Sequence, residues 1–342
     1  MIVNSNDQPL CSVCCLSYNH SKFIKQNITS IWEQSYKNIE IIALDDGSPD
    51  NSAKILTDLK EQSPFPMKVL LQKNTGSVSK NFNRLLDNAS GKYILFISCD
   101  DMLTEETIQS KIDLMEQNDN IVFVASKRNY NIDDDGNVFD KNVFTYLDDS
   151  IKTAEDLLSC EHENIGSFYI QNALFRKSIV NAVGGFDEDL LGDDIVLRTK
   201  CFLYMKQHPE LTFRITDDFG MYYRSHDNNI HKNSERQIKL IAQVFERYFS
   251  DKKAPKKFVK MMKDRVSNVL FEDALRSLFI SKKCIELLED KEMQEHIIKK
   301  HAQESREQIF SLYKVKSKEY KYVYLVVFRR RFLLYKKRRK LA

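Results

Sequence analysis

Two apolar segments in the first hundred residues each run directly into a pair of aspartates. The pairs are Asp45 with Asp46 and Asp100 with Asp101. Short apolar runs of this kind are typical of strands that are buried on both faces of a parallel sheet. Ligands of open α/β sheets bind at the carboxyl ends of such strands. We therefore expect both acidic pairs at one edge of one sheet, where carboxylates favour a nucleotide and a divalent metal.

Strand and helix patterns alternate over the same hundred residues. The predicted strands cover residues 10–17, 39–44, 67–72 and 93–97. A helix is expected after each of the first three strands, with Asn19 as the N-cap of the first helix. This alternation predicts an α/β fold with a mostly parallel sheet and helices on both faces.

The pattern loosens beyond this region. We expect a helix at 104–117, a strand at 121–127 and a turn in the Asn- and Asp-rich segment 129–137. From about residue 232 the periodicity becomes helical and the composition shifts toward Lys, Glu and Gln. The chain is therefore expected to end in a helical extension at 232–342.

The positive charge of the chain is concentrated in its last thirty residues. Residues 313–342 hold twelve Lys or Arg and one Glu, a net charge of +11, so the total of +3 leaves −8 on the remaining 312 residues. Aromatic and aliphatic residues are mixed with these cations from Tyr320 to Lys340. This composition favours an amphipathic segment on an anionic membrane surface. The alternative is a solvated basic helix end that contacts only protein, and no other feature favours nucleic acid.

Cysteine usage and hydropathy indicate a cytoplasmic protein. Seven scattered cysteines, mostly within apolar patterns, are expected to be reduced thiols. Cys11, Cys14 and Cys15 include a zinc spacing, but no second Cys or Cys/His pair accompanies them, so small buried side chains are the favoured interpretation. No apolar run is long enough to span a bilayer, and the N-terminus lacks a signal-peptide pattern. With the basic tail, this predicts peripheral association with the inner face of the plasma membrane.

Four segments, in order along the chain, carry a resemblance to a known family: residues 11–20, 38–52, 74–83 and 91–101. Together they resemble the donor-binding half of a family 2 glycosyltransferase with the GT-A fold, a Rossmann-like nucleotide-diphospho-sugar transferase. The resemblance implies that residues 1–101 bind the donor and that residues 102–231 bind the acceptor and carry out catalysis. It implies an inverting enzyme that moves a sugar from a UDP- or dTDP-linked donor to a cell-surface polysaccharide or lipid-linked glycan by a metal-assisted single displacement.

The resemblance also implies a divalent metal, Mn²⁺ or Mg²⁺. The metal motif of the family is commonly Asp-x-Asp, and this chain has Ser98, Cys99 and Asp100 there. Asp100 is the expected metal ligand, although serine replaces the first acid. His226 lies in a segment that resembles the one closing the donor site in relatives, and it is expected to complete the metal shell or to contact the diphosphate.

The same resemblance implies a donor pocket. Asp46 matches the family aspartate that accepts a hydrogen bond from the base, and Asp45 is beside it on the same turn. For these two residues alone, a simple turn is the alternative interpretation. The other residues expected to bind the donor are Leu16, Ser17, Tyr18, Lys80, Asp101 and Arg224.

A catalytic base is expected on the acceptor side, because inverting transfer needs a group that takes the proton of the attacking hydroxyl. Residues 184–188 read Gly-Gly-Phe-Asp-Glu, which is similar to the family run that precedes a Glu-Asp pair at a helix start. Asp194 matches the second acid of that pair and is the candidate base. Asp193 replaces the glutamate and could share the work. Both could instead be helix caps.

A second class of function stays open at this point, namely a transferase-like subunit that binds a nucleotide or glycan without turnover. Ser98 in place of an acid supports it. The acids retained at 46, 100, 101 and 194 favour the enzyme. Dehydrogenases and phosphate-loop enzymes are disfavoured, because the chain has neither a G-x-G-x-x-G nor a Walker sequence.

Overall fold

The computed structural model of the chain describes residues 8–144, 146–226, 229, 233–316, 320–327 and 330–338, with backbone alone from residue 305. Its residues form two compact units, Met1–Asp251 and Lys252–Ala342.

The first hundred residues alternate between strands and helices as predicted. The elements are β1 (Cys11–Ser17), α1 (Ile24–Trp32), β2 (Ile39–Asp45), α2 (Ser52–Lys60), β3 (Met67–Leu71), α3 (Val78–Asn88) and β4 (Tyr93–Ser98). Asn19 is not the N-cap of α1, because it has φ of +59° and its N–H donates to Ser48 Oγ at 2.8 Å. The next N–H, of His20, donates to Ser52 Oγ at 3.0 Å. These bonds hold the loop against the start of α2 and delay α1 until Ile24.

The rest of the first unit completes the sheet and covers it. Its elements are β5 (Met102–Leu103), α4 (Thr107–Met115), β6 (Ile121–Ile132), β7 (Val138–Val143), α5 (Ala154–Asn164), β8 (Ala173–Arg176), α6 (Lys177–Ala182), α7 (Asp194–Gln207), β9 (Thr212–Arg224) and α8 (Ser234–Tyr248). The sheet order is β3-β2-β1-β4-β8-β6-β9-β5, with β7 paired to β6. The first four strands are parallel, while β8, β5 and β7 pair antiparallel with their neighbours.

The strand β6 corrects one sequence-based expectation. Residues 129–137 were expected to form a turn, but β6 continues to Ile132 and the turn is confined to residues between β6 and β7. Tyr130 is paired with Lys141 of β7 on one side and with Tyr222 of β9 on the other. Pairing on both sides satisfies the backbone of this Asn-rich segment, which outweighs its local preference for turns.

The central strands are packed on both faces. Every residue of β1 is buried, and Val13 lies between Ile41 of β2 and Leu95 of β4. The seven cysteines are free and buried, and those of β1 belong to this core. Burial on both faces explains why these strands read as continuous apolar runs in the sequence.

The helix α8 belongs to the first unit, which corrects the predicted boundary between residues 231 and 232. Gln243 Oε1 accepts the N–H of Leu191 at 3.1 Å, and Arg247 Nη1 donates to Asp187 Oδ2 at 3.1 Å. Tyr248 also donates its hydroxyl to Asp187. These contacts fasten α8 to the loop before α7, so the compact unit ends at Asp251.

The second unit is helical only in its first part. It contains α9 (Lys256–Asn268), α10 (Phe271–Leu278), α11 (Lys282–Glu286) and α12 (Lys291–Ile309), followed by β10 (Phe310–Lys316), β11 (Tyr320–Val327) and β12 (Arg330–Arg338). The last three form an antiparallel sheet, so the expectation of helix up to residue 342 is wrong for residues 310–316, 320–327 and 330–338. Tyr, Val and Phe are frequent in this sequence and favour strands. No helix in the described ranges combines the length and apolar character that a membrane span requires.

Candidate active site

The candidate site lies where β1, β2 and β4 end side by side. The backbone N–H of Asp46 donates to Ser17 O at 2.9 Å, and that of Cys99 donates to Leu16 O at 2.8 Å. The turns after β2 and β4 therefore flank the end of β1, and each turn carries one pair of acids. Leu16 and Ser17 are buried between them.

Asp45 and Asp46 are both buried but have different partners. Asp45 accepts the N–H of Ser48 at 2.9 Å within its own turn. Asp46 accepts the N–H of Thr75 at 2.9 Å and the side chain of Gln72 at 2.6 Å. Asp46 is therefore linked to the loop before α3, whereas Asp45 closes the turn after β2.

The turn after β2 approaches that loop closely. Gly47 has φ of +69°, and a Cβ on it would lie 2.5 Å from the backbone nitrogen of Asn74. A larger residue could not occupy this position without moving one of the two loops. The link extends into α3, because Asn81 Oδ1 accepts from Thr75 Oγ1 at 3.0 Å and from the Gln72 amide at 2.6 Å.

Two residues expected at the donor have exposed side chains. Lys80 is in the first turn of α3, where its N–H donates to the N-cap oxygen of Ser77, and its side chain is exposed. Tyr18 follows β1 and is 46% exposed. Both side chains are accessible from solvent and can reach a ligand only by extending over the site.

Asp100 lies against two histidines. His226 Nε2 is 3.1 Å from Asp100 Oδ2, and His20 Nε2 is 3.8 Å from the same oxygen. Burial favours the neutral carboxyl, but the neighbouring His20 and the hydrogen bond with His226 outweigh it and hold the pKa of Asp100 below its usual range. Asp100 Oδ1 and His20 Nδ1 are buried atoms with no hydrogen-bond partner in the described structure.

Arg224 lies beneath the site and is fully buried. Its backbone N–H donates to Asp101 Oδ1 at 2.9 Å, and its Nε donates to Asp100 O at 2.7 Å. The remainder of the guanidinium donates to the carbonyls of Asp133 and Asp134 and to Gln26 Oε1. These bonds tie the turn after β4 to the turn after β6, so the structure gives Arg224 protein partners rather than an open face.

Asp193 and Asp194 begin α7. Asp193 is the N-cap residue but its side chain makes no capping hydrogen bond. Asp194 Oδ2 accepts the N–H of Ile170 at 3.3 Å, from a segment outside its own helix. Burial and the neighbouring Asp193 raise the pKa of Asp194 to about 7, against the opposing charge of Arg198.

Two tyrosines lie within electrostatic range of both the acids after β4 and Asp194 of α7. Tyr169 and Tyr223 stack with ring centroids 5.0 Å apart and nearly parallel planes. Burial raises the pKa of the Tyr169 hydroxyl to about 12, with further contributions from Asp194 and Asp101. Burial and the adjacent Asp100 also raise the pKa of Asp101. The acids after β4 and Asp194 of α7 are therefore close enough to influence each other's ionisation.

A comparison with known families identifies the family of this chain. Residues 12–184, which are 173 of the 342 residues, match the family model described as glycosyl transferase family 2. The chain belongs to glycosyltransferase family 2. The predicted family and the predicted class of enzyme are thereby confirmed.

Relatives and solved structures agree with this family. The poly-beta-1,6-N-acetyl-D-glucosamine synthase of Staphylococcus epidermidis is 26% identical over 209 residues, which are 60% of this chain and 49% of that protein. The chain spans between 42% and 67% of the first four curated relatives that it matches.

Two solved structures share the fold. The crystal structure of S. aureus TarS 1–349 in complex with UDP-GlcNAc covers 94% of this chain and 98% of its own, with a TM-score of 0.55 and 15% identity. The mannosyltransferase PcManGT from Pyrobaculum calidifontis, in complex with GDP-Man and Mn²⁺, covers 87% and 88%, with a TM-score of 0.53 and 16% identity. At these identities the likeness concerns the fold alone, and it confirms the GT-A class.

Several residues of the site in this family 2 glycosyltransferase were not predicted from the sequence. His20 was given no role, although its place just after β1 puts it at the same sheet edge as the acids. Tyr169 and Arg198 carry no local signal, because one lies in an irregular segment and the other on an ordinary helix. Only the packing of α5, α7 and β9 brings these residues toward Asp194.

Proposed function

We propose that this family 2 glycosyltransferase moves a sugar from a nucleotide-sugar donor, UDP- or dTDP-linked, to a hydroxyl of a cell-surface polysaccharide or lipid-linked glycan, with inversion at the anomeric carbon. The observation that carries the proposal is a half-buried carboxylate, Asp194, with a pKa raised to about 7, in electrostatic reach of Asp101 in the turn after β4. Asp194 can take a proton while the acids at the edge of the sheet hold the donor.

The donor base is assigned to the pocket formed by Asp46 and the end of β1. Uracil and thymine carry an N–H that a carboxylate can accept. Thr75 and Gln72 fix the orientation of Asp46, and Tyr18 is accessible for stacking on a base. The complex of TarS with UDP-GlcNAc supports a UDP-linked donor. The complex of PcManGT with GDP-Man is the reason to include GDP among the nucleotides tested for binding.

A divalent metal is assigned to Asp100 and His226. A buried carboxylate oxygen without a hydrogen-bond donor, such as Asp100 Oδ1, fits a cation ligand. Across the described residues, no group of three or more His, Cys, Asp or Glu side chains is arranged to hold a metal ion. Mg²⁺ and Mn²⁺ commonly use one or two carboxylates together with substrate phosphates and water. When bound, the metal would offset the charge that develops on the leaving diphosphate.

Asp194 is assigned as the catalytic base. A base acts best when its pKa is close to the working pH, and a carboxyl near 7 meets that condition. The contact with Ile170 N engages Oδ2 and holds the carboxylate in one orientation. Activity is expected to rise with pH through about 7, because Asp194 must be ionised to accept the proton of the acceptor hydroxyl.

Replacing the base should remove transfer and spare donor binding. Asp194→Asn is expected to lower the transfer rate by about 10²–10⁴-fold with unchanged nucleotide affinity, because the amide cannot accept the proton. The measurement is nucleoside diphosphate release with an acceptor, beside calorimetric binding of the donor nucleotide. Asp58→Asn on the exposed face of α2 is the matched control. Full transfer in Asp194→Asn, with loss in Asp193→Asn, would show that the base is misassigned.

Replacing the metal ligand should remove the metal dependence of nucleotide binding. Asp100→Asn keeps the shape of the side chain and removes its charge, so the gain in affinity that Mn²⁺ gives to a nucleoside diphosphate should fall by about tenfold or more. Titration calorimetry with Mn²⁺ and with a chelator measures that gain, again with Asp58→Asn as the control. A gain equal to that of the unchanged chain would remove Asp100 from the metal site.

A membrane partner is proposed for the basic C-terminal segment. Residues 313–342 carry a net charge of +11, and the described parts of β11 and β12 mix aromatic and aliphatic residues with these cations. Polymer acceptors at the cell surface are often lipid-linked, and a synthase of a polysaccharide, poly-beta-1,6-N-acetyl-D-glucosamine, is among the relatives. Attraction of the segment to anionic lipid would keep the enzyme near such acceptors.

Removing charge from this segment should weaken vesicle binding. A triple Ser substitution of Lys336, Lys337 and Arg338 is expected to cost about 1 kcal/mol per cation, so binding to vesicles rich in anionic phospholipid should fall by about a hundredfold. The same change at Lys256, Lys257 and Lys260 of α9 is the matched control, since it removes equal charge. Equal losses from both variants would show only a general charge effect.

The alternative, a subunit that binds without turnover, predicts a different result in the same transfer and binding assays. Such a subunit would bind a nucleotide or glycan, and Asp194→Asn would change nothing because no transfer occurs. The retained acids and the raised pKa of Asp194 favour the enzyme over this alternative.

A further inference from the structure

A buried ion pair lies behind the candidate base. Glu161 of α5 and Arg198 of α7 are paired through two bonds, from Arg198 Nη2 to Glu161 Oε1 at 2.9 Å and from Nε to Oε2 at 3.2 Å. Glu161 has no exposed surface, and Arg198 is 3% exposed. Removing two charges from water is costly, and apolar residues of similar size often stabilise a fold at least as well. Stability alone therefore does not account for this pair.

The pair is fixed by the segment that follows α5. Ser167 donates its hydroxyl to Glu161 Oε2, and Arg198 Nη1 donates to Phe168 O. Gly166 has φ of +122°, and a Cβ there would lie 3.2 Å from Arg198 Nη2. The segment wraps the guanidinium closely and leads directly to Ile170, whose N–H donates to Asp194.

Arg198 also contacts Asp194 itself. Its Nη1 lies 3.5 Å from Asp194 Oδ2, one helical turn earlier on α7. The N–H of Ile170 donates to the same oxygen at 3.3 Å. Both contacts are made to Oδ2. The ion pair therefore orients the carboxylate of Asp194 directly through Arg198 and indirectly through the segment that leads to Ile170.

The charge around Asp194 is mostly negative. The titratable and charged groups that act on it come from α5, α7, β9, the turn after β4 and the segment before β8. They are Glu161, Asp193, Arg198, Tyr223, Asp101 and Tyr169. Arg198 is the single cation in this group. A guanidinium with no other acidic partner would lower the pKa of the neighbouring carboxyl by about 1–3. Glu161 balances that charge.

We propose that Glu161 and Arg198 are positioning residues for the transfer reaction: Arg198 orients Oδ2 of the base, and Glu161 neutralises enough of the Arg198 charge to keep Asp194 able to take a proton. This inference rests on the proposed function. Neither residue touches the reacting atoms, and both act through Asp194.

Two substitutions should move the titration of Asp194 in opposite directions. Glu161→Gln leaves the Arg198 charge uncompensated, so the midpoint should fall by roughly one pH unit, a tenfold change in proton affinity. The double variant Glu161→Met with Arg198→Met removes the nearer cation and the farther anion, so the midpoint should rise. The double variant is expected to fold, because an apolar pair replaces a buried ion pair without leaving an unpaired charge.

The measurement is a ¹³C-carboxyl NMR titration of Asp194 in the full chain, assigned with Asp194→Asn. Glu163→Gln, an exposed position on the same helix, is the matched control and should leave the midpoint unchanged. The acid limb of the pH–rate profile should follow the NMR midpoint, and kcat should fall in both variants while the donor KM is unchanged.

Two results would overturn the inference in distinguishable ways. Thermal destabilisation by Glu161→Gln with an unmoved midpoint would give the pair a purely structural role, even if Asp194 proves essential. Midpoints that move as expected in a chain that transfers no sugar from any donor would instead overturn the proposed function, and the positioning role with it.

Discussion

The site depends on the burial of carboxylates at the ends of two parallel strands, β2 and β4, on either side of β1. A charged group removed from water is costly unless hydrogen bonds or opposite charges compensate it. Backbone N–H groups do much of this work, with Thr75 donating to Asp46 and Arg224 donating to Asp101. These bonds hold the acids in fixed positions at the edge of the sheet. A cationic or N–H-bearing ligand is what this arrangement is suited to receive.

The second half of the first unit brings the candidate base to that edge by docking on α3. Asn83 of α3 accepts the N–H of Phe186 at 2.8 Å and donates to its carbonyl at 2.9 Å. Ser79 donates to Gly192 O at 2.9 Å, so both ends of the loop before α7 are anchored. Gly185 has φ of +59°, a conformation that favours glycine, and a Cβ on it would lie 2.5 Å from Asn83 Oδ1. The helix α3, whose Asn81 shares the hydrogen bonds of Gln72 and Thr75 with Asp46, therefore also fixes where α7 begins.

The sequence was sufficient for the features that depend on local pattern. Asp45 and Asp101 follow apolar runs, and the parallel pairing of β1, β2 and β4 was implied by the alternation of strands and helices. Features that depend on distant pairing could not be predicted. The extension of β6 to Ile132 requires both of its neighbours, and the interior place of Arg224 requires a turn ninety residues earlier in the chain.

We propose above all that the carboxyl ends of β1, β2 and β4 bind a nucleoside diphosphate together with a divalent metal. The most direct test is a thermal-shift panel of UDP, dTDP, GDP and CMP with their common sugar conjugates, each with Mn²⁺ and with a chelator. A ligand that binds only the folded state raises the melting temperature. We predict a rise with one class of nucleoside diphosphate that the chelator largely removes. A rise that the chelator leaves unchanged would contradict the metal site, and no rise with any nucleotide would contradict the donor site itself.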